Sequence, residues 1–255
     1  MHATDRDRII IDAIAERGFA SFRELDRLLD ASPATIRRDL DRLQRLGRLV
    51  RVRGGARGPE AGGNDRLLGT PFHENVDRMA AEKARIGRAA AELCAAGSSI
   101  IIDGGTTTYM MCRHLGHLGL QVLTNSLHIV SALLPQPHTR VSVPAGNIFR
   151  EQNIILSAFD DDGTSSIRAV SMFMGAAGIG PYGLMQIDPL LMQAERRLLA
   201  RADSLIVLVD SSKFNQTAGH RLVPLERISV LVTDSGLAPA HRAMMEAAGV
   251  RLVLA

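Results

Sequence analysis

The sequence is poor in aromatic residues, with no tryptophan, two tyrosines and seven phenylalanines among 255 residues. Its apolar fraction is nevertheless 46%, so aliphatic side chains must fill the interior. An aliphatic core is typical of α/β domains whose parallel strands are buried on both faces. A chain of this length has room for one small and one medium domain, each with its own core.

Cysteine and long apolar runs are also scarce. Cys94 and Cys112 lie in predicted helices without a ligand-spaced partner, and the histidines show no recurrent spacing with carboxylates, which disfavours a disulfide framework or a metal site. No apolar run is long enough to span a membrane, and residues 1–5 lead into a predicted helix without the features of a signal peptide. We therefore expect a cytoplasmic protein with no membrane partner, no metal and no cofactor.

Residues 32–47 carry complete start and stop signals for a helix. Ser32 is a strong N-cap, Pro33 suits the first helical position, and Gly47 can end the helix in a left-handed conformation. Three apolar residues at helical spacing predict one buried stripe: Ile36, Leu40 and Leu43. The opposite face is rich in arginine, as in an ordinary solvated helix or in a helix that binds nucleic acid.

The neighbouring segments favour nucleic-acid binding. Residues 6–14 and 21–29 have the pattern of short amphipathic helices, and residues 48–53 alternate apolar and basic side chains as a half-buried strand would. Gly54 and Gly55 then allow a tight turn. Three helices followed by a basic ribbon predict a winged helix-turn-helix domain over residues 1–58.

Positive charge is concentrated in the same region. Residues 32–58 contain eight arginines and two aspartates, a net charge of +6, whereas the whole chain has a net charge of +3. The rest of the protein is therefore slightly acidic. A local basic field of this kind is suited to a phosphate backbone.

The spacing of the N-terminal residues resembles a known family. Arg6, Ile10 and Ile14, followed by Ser32 and the run Thr35-Ile36-Arg37-Arg38-Asp39-Leu40, resemble the signature of the DeoR family of bacterial sugar-metabolism repressors. The resemblance implies transcriptional regulation, usually repression, with double-stranded operator DNA as the partner. The residues expected at the DNA are Ser32, Pro33, Thr35, Arg37, Arg38, Arg42, Arg51 and Arg53.

A glycine-rich segment, residues 59–73, separates this domain from the rest and is interpreted as a linker. Residues 74–96 predict a long helix closed by Gly97. Strand and helix patterns alternate beyond it: strands over 98–103, 121–124, 140–143, 170–174, 205–210, 229–233 and 251–254, and helices over 106–115, 127–134, 189–202 and 239–248. This alternation predicts a second α/β domain, residues 74–255, with a parallel or mixed sheet and helices on both faces.

Ligands of such sheets bind beyond the carboxyl ends of the strands, where this sequence has small and polar loops. Glycine lets backbone amides approach a ligand, and hydroxyls add donors, so several loops at one edge would form an anion site. Plain turns use the same residue types, which leaves each single loop ambiguous. Lys213 lies in one such loop, and the chain has only two lysines against 28 arginines. A lysine there can mark a need for a compact ammonium donor or can be placed by chance.

The same loops resemble the effector-binding domain of the DeoR family, which is similar in fold to ribose-5-phosphate isomerase. Five segments show this resemblance: Lys83-x-Arg85-Ile86-Gly87, Asp103-x-Gly105-Thr106-Thr107, Thr124-Asn125-Ser126, Gly175-Ala176-Ala177-Gly178-Ile179 and Asp210-Ser211-Ser212-Lys213-Phe214. The resemblance implies a phosphorylated sugar or sugar acid as effector. The implied pocket is lined by Asp103, Gly104, Gly105, Thr106, Thr107, Thr108, Asn125, Ser126, Arg150, Gly175, Gly178 and Lys213. The chain departs from the family pattern at Ala145-Gly146 and at residues 157–159.

The rival hypothesis is a sugar-phosphate isomerase-like enzyme that carries a DNA-binding head. An isomerase needs a positioned base, which Asp103, Asp188, Glu195 or Asp210 would have to supply. No paired-carboxylate motif stands out, so the regulator hypothesis is preferred, with no catalytic residues. Because one recognition helix reads only a few base pairs, paired half-sites and a homo-oligomer, dimer or tetramer, are expected.

Overall fold

In the computed structural model, the described residues are 3–17, 19–46, 48–52, 55–57, 72–150, 152–157, 162–216 and 219–255. The chain divides into two compact units, Met1–Arg66 and Leu67–Ala255. The predicted linker over residues 59–73 lies outside the described residues except for residues 72 and 73. Those two residues begin the first helix of the second unit.

The first unit combines three helices with a small antiparallel sheet. In chain order its elements are α1 (Ala3–Arg17), β1 (Phe19–Ser21), α2 (Phe22–Leu28), α3 (Pro33–Arg45), β2 (Val50–Val52) and β3 (Gly55–Arg57). The strand order is β1-β3-β2, and both pairings are antiparallel. The predicted winged helix-turn-helix is therefore confirmed. The sequence pattern did not predict β1, because three residues between two helices are too few to show alternation.

Helix α3 begins where its capping residues predicted. Ser32 is extended, and its Oγ accepts a hydrogen bond from the amide of Thr35 at 3.2 Å, with Pro33 in the first turn. Ile36, Leu40 and Leu43 are buried as expected and pack with residues of α1 and α2. Gly47, the predicted stop, lies outside the described residues, and the helix ends at a C-cap formed by Leu46.

The second unit contains most of the strands. In chain order its elements are α4 (Phe72–Asn75), α5 (Ala80–Ala91), β4 (Ser99–Ile102), α6 (Thr106–Met111), β5 (Gln121–Leu123), α7 (Leu127–Leu133), β6 (Arg140–Ser142), β7 (Asn147–Phe149), β8 (Ile154–Leu156), β9 (Ala169–Met174), β10 (Gly178–Gly180), β11 (Gly183–Gln186), α8 (Pro189–Leu199), β12 (Ala202–Leu208), β13 (His220–Val223), β14 (Val230–Thr233), α9 (Pro239–Ala247) and β15 (Arg251–Leu254).

Seven of these strands form one parallel sheet in the order β15-β14-β12-β9-β4-β5-β6. Successive side chains of a strand point to opposite faces, and β4 shows this directly. Ile100 and Ile102 join the apolar cluster under α5, α6 and α7, whereas Ile101 joins the cluster under α8 and α9. The predicted α/β domain with helices on both faces is therefore confirmed.

Two small antiparallel sheets were not predicted. They have the strand orders β10-β11-β13 and β7-β8. Their strands have three or four residues each, and two of them begin with glycine, so they are too short to show a strand pattern in the sequence. Both sheets lie outside the seven-stranded sheet.

The helix predicted over residues 74–96 is two helices, so this prediction was wrong. Met79 adopts a positive φ of 51°, which separates α4 from α5. A left-handed conformation is costly for a side chain such as methionine and requires compensation nearby. Lys83 on α5 reaches back across the break, and its Nζ donates to the carbonyl oxygen of Asn75 at 2.5 Å.

Two further predictions concern cysteines and membrane spans. Cys112 is buried, Cys94 is half-buried, and both are free thiols. None of the helices within the described ranges is long and apolar enough to cross a membrane.

Candidate functional site

The exposed face of α3 carries the arginines that were expected to meet DNA. Arg37 and Arg38 are exposed and form no ion pair with any described residue. Ser32 and Pro33 are exposed beside them, and the hydroxyls of Ser32 and Thr35 lie 2.9 Å apart. Two hydroxyl groups and two guanidinium groups, together with Pro33, therefore lie on one surface at the start of the helix.

Arg42 and Arg51 have acidic partners within the same unit. The Arg42 guanidinium donates to both carboxylate oxygens of Asp7, at 2.8 and 2.6 Å. Arg51 donates to Asp41. Their positive charges are therefore partly compensated before any DNA is bound. The side chain of Arg53 lies outside the described residues.

Asp39 connects the recognition helix to α1. Its side chain is buried and accepts hydrogen bonds from Arg6 Nε at 2.7 Å and from Arg42 Nη2 at 3.2 Å. Burial by itself raises the pKa of Asp39, but the hydrogen bonds from the two guanidinium groups outweigh it and leave the pKa lowered. Asp39 and Arg6 therefore position α3, a role that the sequence pattern alone did not reveal.

The second unit contains a cavity of about 210 Å³ beyond the carboxyl ends of β4, β9 and β12. Several loops meet there because parallel strands end at the same edge of the sheet. Seven residues of the predicted effector set line it: Asp103, Gly104, Gly105, Thr106, Thr107, Gly175 and Lys213. Gly104 is tightly enclosed, since a Cβ at this position would lie 2.9 Å from Ile154 Cδ1 and 3.1 Å from Ser126 Cβ.

The other predicted residues lie elsewhere. The Thr108 hydroxyl is positioned to donate to the carbonyl oxygens of Asp103 at 2.8 Å and Gly105 at 2.9 Å. It therefore stabilises the backbone of the loop. Ser126 caps α7, and Arg150 is exposed. None of these three side chains lines the cavity.

Gly178 and Asn125 complete the predicted set. A Cβ at Gly178 would lie 2.3 Å from the carbonyl oxygen of Gln216, so only glycine fits this contact with a residue that lines the cavity. Asn125 is buried, and neither polar atom of its amide has a hydrogen-bond partner among the described residues. Gly146, in the loop that departs from the family pattern, is similarly restricted by the carbonyl oxygen of Leu156, whereas residues 158–159 lie outside the described residues.

Sequence reasoning missed part of the cavity wall, which comes from α4, α5, α8 and the small sheets. Lys83 is only 1% exposed and lines the cavity. The carbonyl oxygen of Asn75 accepts from Lys83, and the side-chain Nδ2 of Asn75 donates to Thr106 Oγ1 at 3.3 Å. These contacts join α4 to the loop after β4. The rarity of lysine was a signal for Lys83 as much as for Lys213. The remaining missed residues include Phe72, Arg78, Gln152, Gln186, Glu195 and Gln216.

Positive charge gathers on one part of the lining. Burial lowers the pKa of Lys83; among the neighbouring charges Asp210 acts most strongly and opposes the shift, Lys213 and Arg78 add to it, and Asp77 opposes it. Only the three cations, and neither aspartate, are among the residues that line the cavity. Mutual repulsion among three cations is relieved when an anion binds between them. This part of the cavity is therefore suited to a phosphate group.

Two carboxyl groups occupy the lining as well. Burial raises the pKa of Asp103 to about 6, although the amide of Gly104 opposes the shift. Burial raises the pKa of Glu195 well above its ordinary value, and the charges of Asp103 and Asp188 raise it further. No group of three or more histidine, cysteine, aspartate or glutamate side chains within the described part of the chain could hold a metal ion.

Comparisons with known proteins cover both units. Residues 6–61 match the family model of the DeoR-like helix-turn-helix domain, and residues 78–235 match that of the DeoR C-terminal sensor domain. The chain is 32% identical to proteins named HTH-type transcriptional regulator UlaR from Escherichia coli and from Shigella boydii, over 99% of each chain.

Similarity to solved structures is more distant. Ribose 5-phosphate isomerase A from Methanocaldococcus jannaschii matches with a TM-score of 0.39 and 18% identity, over 56% of this chain and 55% of that one. The eIF2B beta structure from Chaetomium thermophilum matches with a TM-score of 0.43 and 14% identity, over 62% and 50%. At these scores the similarity carries no functional inference.

Proposed function

This protein is a DNA-binding transcriptional regulator of the DeoR family, and we propose that it represses a carbohydrate-utilisation operon. In this proposal a phosphorylated sugar or sugar acid binds the second unit and releases the operator. The relatives are named as transcriptional regulators, which supports a regulator rather than an enzyme. Its place of action would be the bacterial cytoplasm, where the operator DNA is.

The DNA contacts are assigned to the start of α3 and to the wing. Arg37 and Arg38 are exposed without acidic partners among the described residues, so their charges are available to phosphates or to guanine. Arg42 and Arg51 are already paired with aspartates, so we expect a smaller contribution from them. A homo-oligomer would place two such helices on paired half-sites.

The effector assignment rests on one observation, the convergence of Lys83, Lys213 and Arg78 with the loop of residues 103–107 on one cavity. Ammonium and guanidinium groups with loop amides are the donors that recognise a phosphate dianion. Hydroxyl groups of a sugar would complete the site with Asp103, Thr106 and the glutamines of the wall. A cavity of about 210 Å³ limits the effector to a small molecule.

The effector acts only if it binds the two states of the protein unequally. It must bind the arrangement that cannot hold DNA more tightly than the arrangement that can. A coupling of 1–3 kcal/mol is typical and corresponds to a change of roughly 5- to 150-fold in operator affinity.

The experiment starts by selecting the operator from genomic fragments with the purified full chain. Operator affinity is then measured by fluorescence anisotropy, with and without each member of a panel of sugar phosphates and sugar-acid phosphates. We expect at least one compound to weaken operator binding and to raise the thermal midpoint of the protein, because a ligand stabilises the folded state by mass action. If no compound changes either quantity, the effector proposal is wrong.

Lys213→Ala provides the residue-level test. We expect this variant to bind the operator normally but to lose the response to the effector, because one of the cations of the cavity is removed. Arg251→Ala is the matched control: it removes an exposed cation at the amino end of β15, the opposite edge of the sheet. The assignment of Lys213 is refuted if both variants respond like the parent protein.

A further inference from the structure

Glu195 on α8 has an unusual environment. It is 4% exposed and lines the cavity, yet only one of its two carboxyl oxygens is engaged. Gln186 Nε2 donates to Glu195 Oε1 at 2.5 Å. Glu195 Oε2 has no hydrogen-bond partner among the described residues. A buried oxygen of this kind costs free energy unless something supplied from outside the fold engages it.

The orientation of Gln186 is fixed independently. Its Oε1 accepts a hydrogen bond from the amide of Ile187 at 2.8 Å, so the oxygen end of the side chain faces the backbone. The amino end must then face Glu195. Glu195 Oε1 is therefore an acceptor, and any proton on this carboxyl group is carried by Oε2.

The charges around Glu195 favour its neutral form. The negative charges of Asp103 and Asp188 raise the pKa of Glu195. The cations Lys213 and Arg78 act on Lys83. A buried carboxyl group whose charged neighbours are carboxylates favours its protonated form. Glu195 and Lys83 therefore have different charged neighbours within one cavity, acidic around Glu195 and including two cations around Lys83.

Other charged groups near Glu195 are engaged elsewhere. Arg196 donates to the carbonyl oxygen of Arg221 at 3.1 Å, and Arg197 donates to the carbonyl oxygen of Ser157 at 3.1 Å. Among the described residues, the remaining charged or titratable side chains at the N-cap of α8 and on the strands with the most contacts to it are Asp188, Asp203, His220 and Arg221. Of these, His220 lies opposite Gln186 in the register of β11 and β13 and is exposed.

We propose that Glu195 is a specificity-determining residue of the effector site, whose Oε2–H donates a hydrogen bond to a carbonyl or carboxylate oxygen at the end of the effector remote from its phosphate. This inference rests on the proposed function and narrows it. The site then prefers phosphorylated sugar acids or keto sugars to phosphorylated alditols, which have no such oxygen.

The first test needs no ligand. Infrared spectra of the full chain at pH 7 are compared with those of Glu195→Gln and Asp103→Asn. A protonated-carboxyl band that disappears in Glu195→Gln and persists in Asp103→Asn is expected. A band that disappears only in Asp103→Asn, or the loss of a carboxylate band in Glu195→Gln, would overturn the assignment. Circular dichroism verifies that each variant is folded.

The second test uses two probes that differ at one carbon, 6-phosphogluconate and glucitol 6-phosphate. The first has a carboxylate where the second has a hydroxymethyl group. Calorimetry should show a preference of roughly tenfold or more for 6-phosphogluconate, the usual size of one hydrogen bond to a charged group. Glu195→Gln should keep most of this preference because its amide still donates. Glu195→Leu should lose it because the donor is absent.

The pH dependence gives the third test. The Oε2 donor is present below the pKa of Glu195 and is lost above it, so the affinity for 6-phosphogluconate falls as the pH rises. The phosphate of the probe titrates as well, near pH 6. Glu195→Gln retains that contribution and lacks the one from Glu195. Asp103 interacts with Glu195 and has a pKa of about 6, so the same comparison in the Asp103→Asn background separates the two carboxyl groups.

The outcomes separate the inference from the function on which it rests. If neither probe nor any other sugar phosphate binds, the proposed function fails, and the infrared comparison still decides the state of Glu195. If both probes bind equally well, or if the wild type and Glu195→Gln have the same pH profile, the assignment of Glu195 is wrong while the effector site stands.

Discussion

Replacing Asp39 by alanine tests whether the link between α1 and α3 stabilises the DNA-binding unit. The substitution removes the acceptor for Arg6 at 2.7 Å and for Arg42 at 3.2 Å. Breaking a buried ion pair from one side typically costs about 3–5 kcal/mol. Arg42 keeps its two bonds to Asp7, which reduces the loss. We therefore expect the free energy of unfolding of this unit to fall by about 2 kcal/mol, near the value of one charge-assisted hydrogen bond.

The assay must report on the first unit alone. The chain has no tryptophan, and its two tyrosines, Tyr109 and Tyr182, lie in the second unit. Tyrosine fluorescence therefore follows only the second unit, whereas hydrogen exchange of the α3 amides follows the first. We expect exchange of these amides to accelerate in Asp39→Ala while the tyrosine transition is unchanged.

Asp41→Ala is the matched control, since it removes an aspartate from the same helix. The Asp41 side chain is 51% exposed and pairs with Arg51 at the surface, where such pairs contribute about 0–1 kcal/mol. Equal exchange rates in the two variants would refute the structural role of Asp39. The dependence of the free energy of unfolding on acidic pH provides a second test of the role of Asp39. Because the pKa of Asp39 is lowered in the folded state, its contribution is complete above the ordinary pKa of about 3.9 and is lost as the pH falls through the folded value.

The remaining predictions concern one residue of each unit. Arg38→Ala should weaken operator binding. If Arg38 contacts a phosphate, the dependence of affinity on salt concentration should decrease by about 1 in slope, and if it contacts a guanine, the preference for operator sequence should relax. Unchanged affinity would exclude Arg38 from the interface. Gly87→Ala should destabilise the second unit by about 1–3 kcal/mol, because its Cβ would lie 2.7 Å from the backbone of Met110. Gly180→Ala, where a Cβ meets nothing within 4 Å, is the control for the tyrosine transition, and equal midpoints would contradict the packing argument.

Local sequence signals predicted the regular elements well where they were strong. Helix α3 begins as Ser32 and Pro33 indicated, and the strand predicted over residues 251–254 has the observed bounds. Capping residues and periodic apolar side chains act within one or two turns, so they can be interpreted without knowledge of the fold. The helix predicted over residues 74–96 failed because no local signal marks the left-handed conformation of Met79.

The candidate effector site could be predicted only in part. Residues 103–107, Gly175 and Lys213 follow strands of one parallel sheet, and that topology alone brings them to one edge. Arg150 was expected there but is exposed, since the loop after β6 turns into the small β7-β8 sheet. Lys83 and Gln186 line the cavity from elements whose placement no local pattern indicates.

The sequence by itself determined most strands of the large sheet, the basic helix and its family signature, because these depend on residues close together in the chain. Only the tertiary structure decided which of the described arginines of α3 and the wing pair with aspartates and which carboxyl groups are buried. Asp7 pairs with Arg42 across 35 positions, and Asp103 acts on Glu195 from a distant loop. Burial and charge pairing depend on distances between residues far apart in sequence, and folding alone sets those distances.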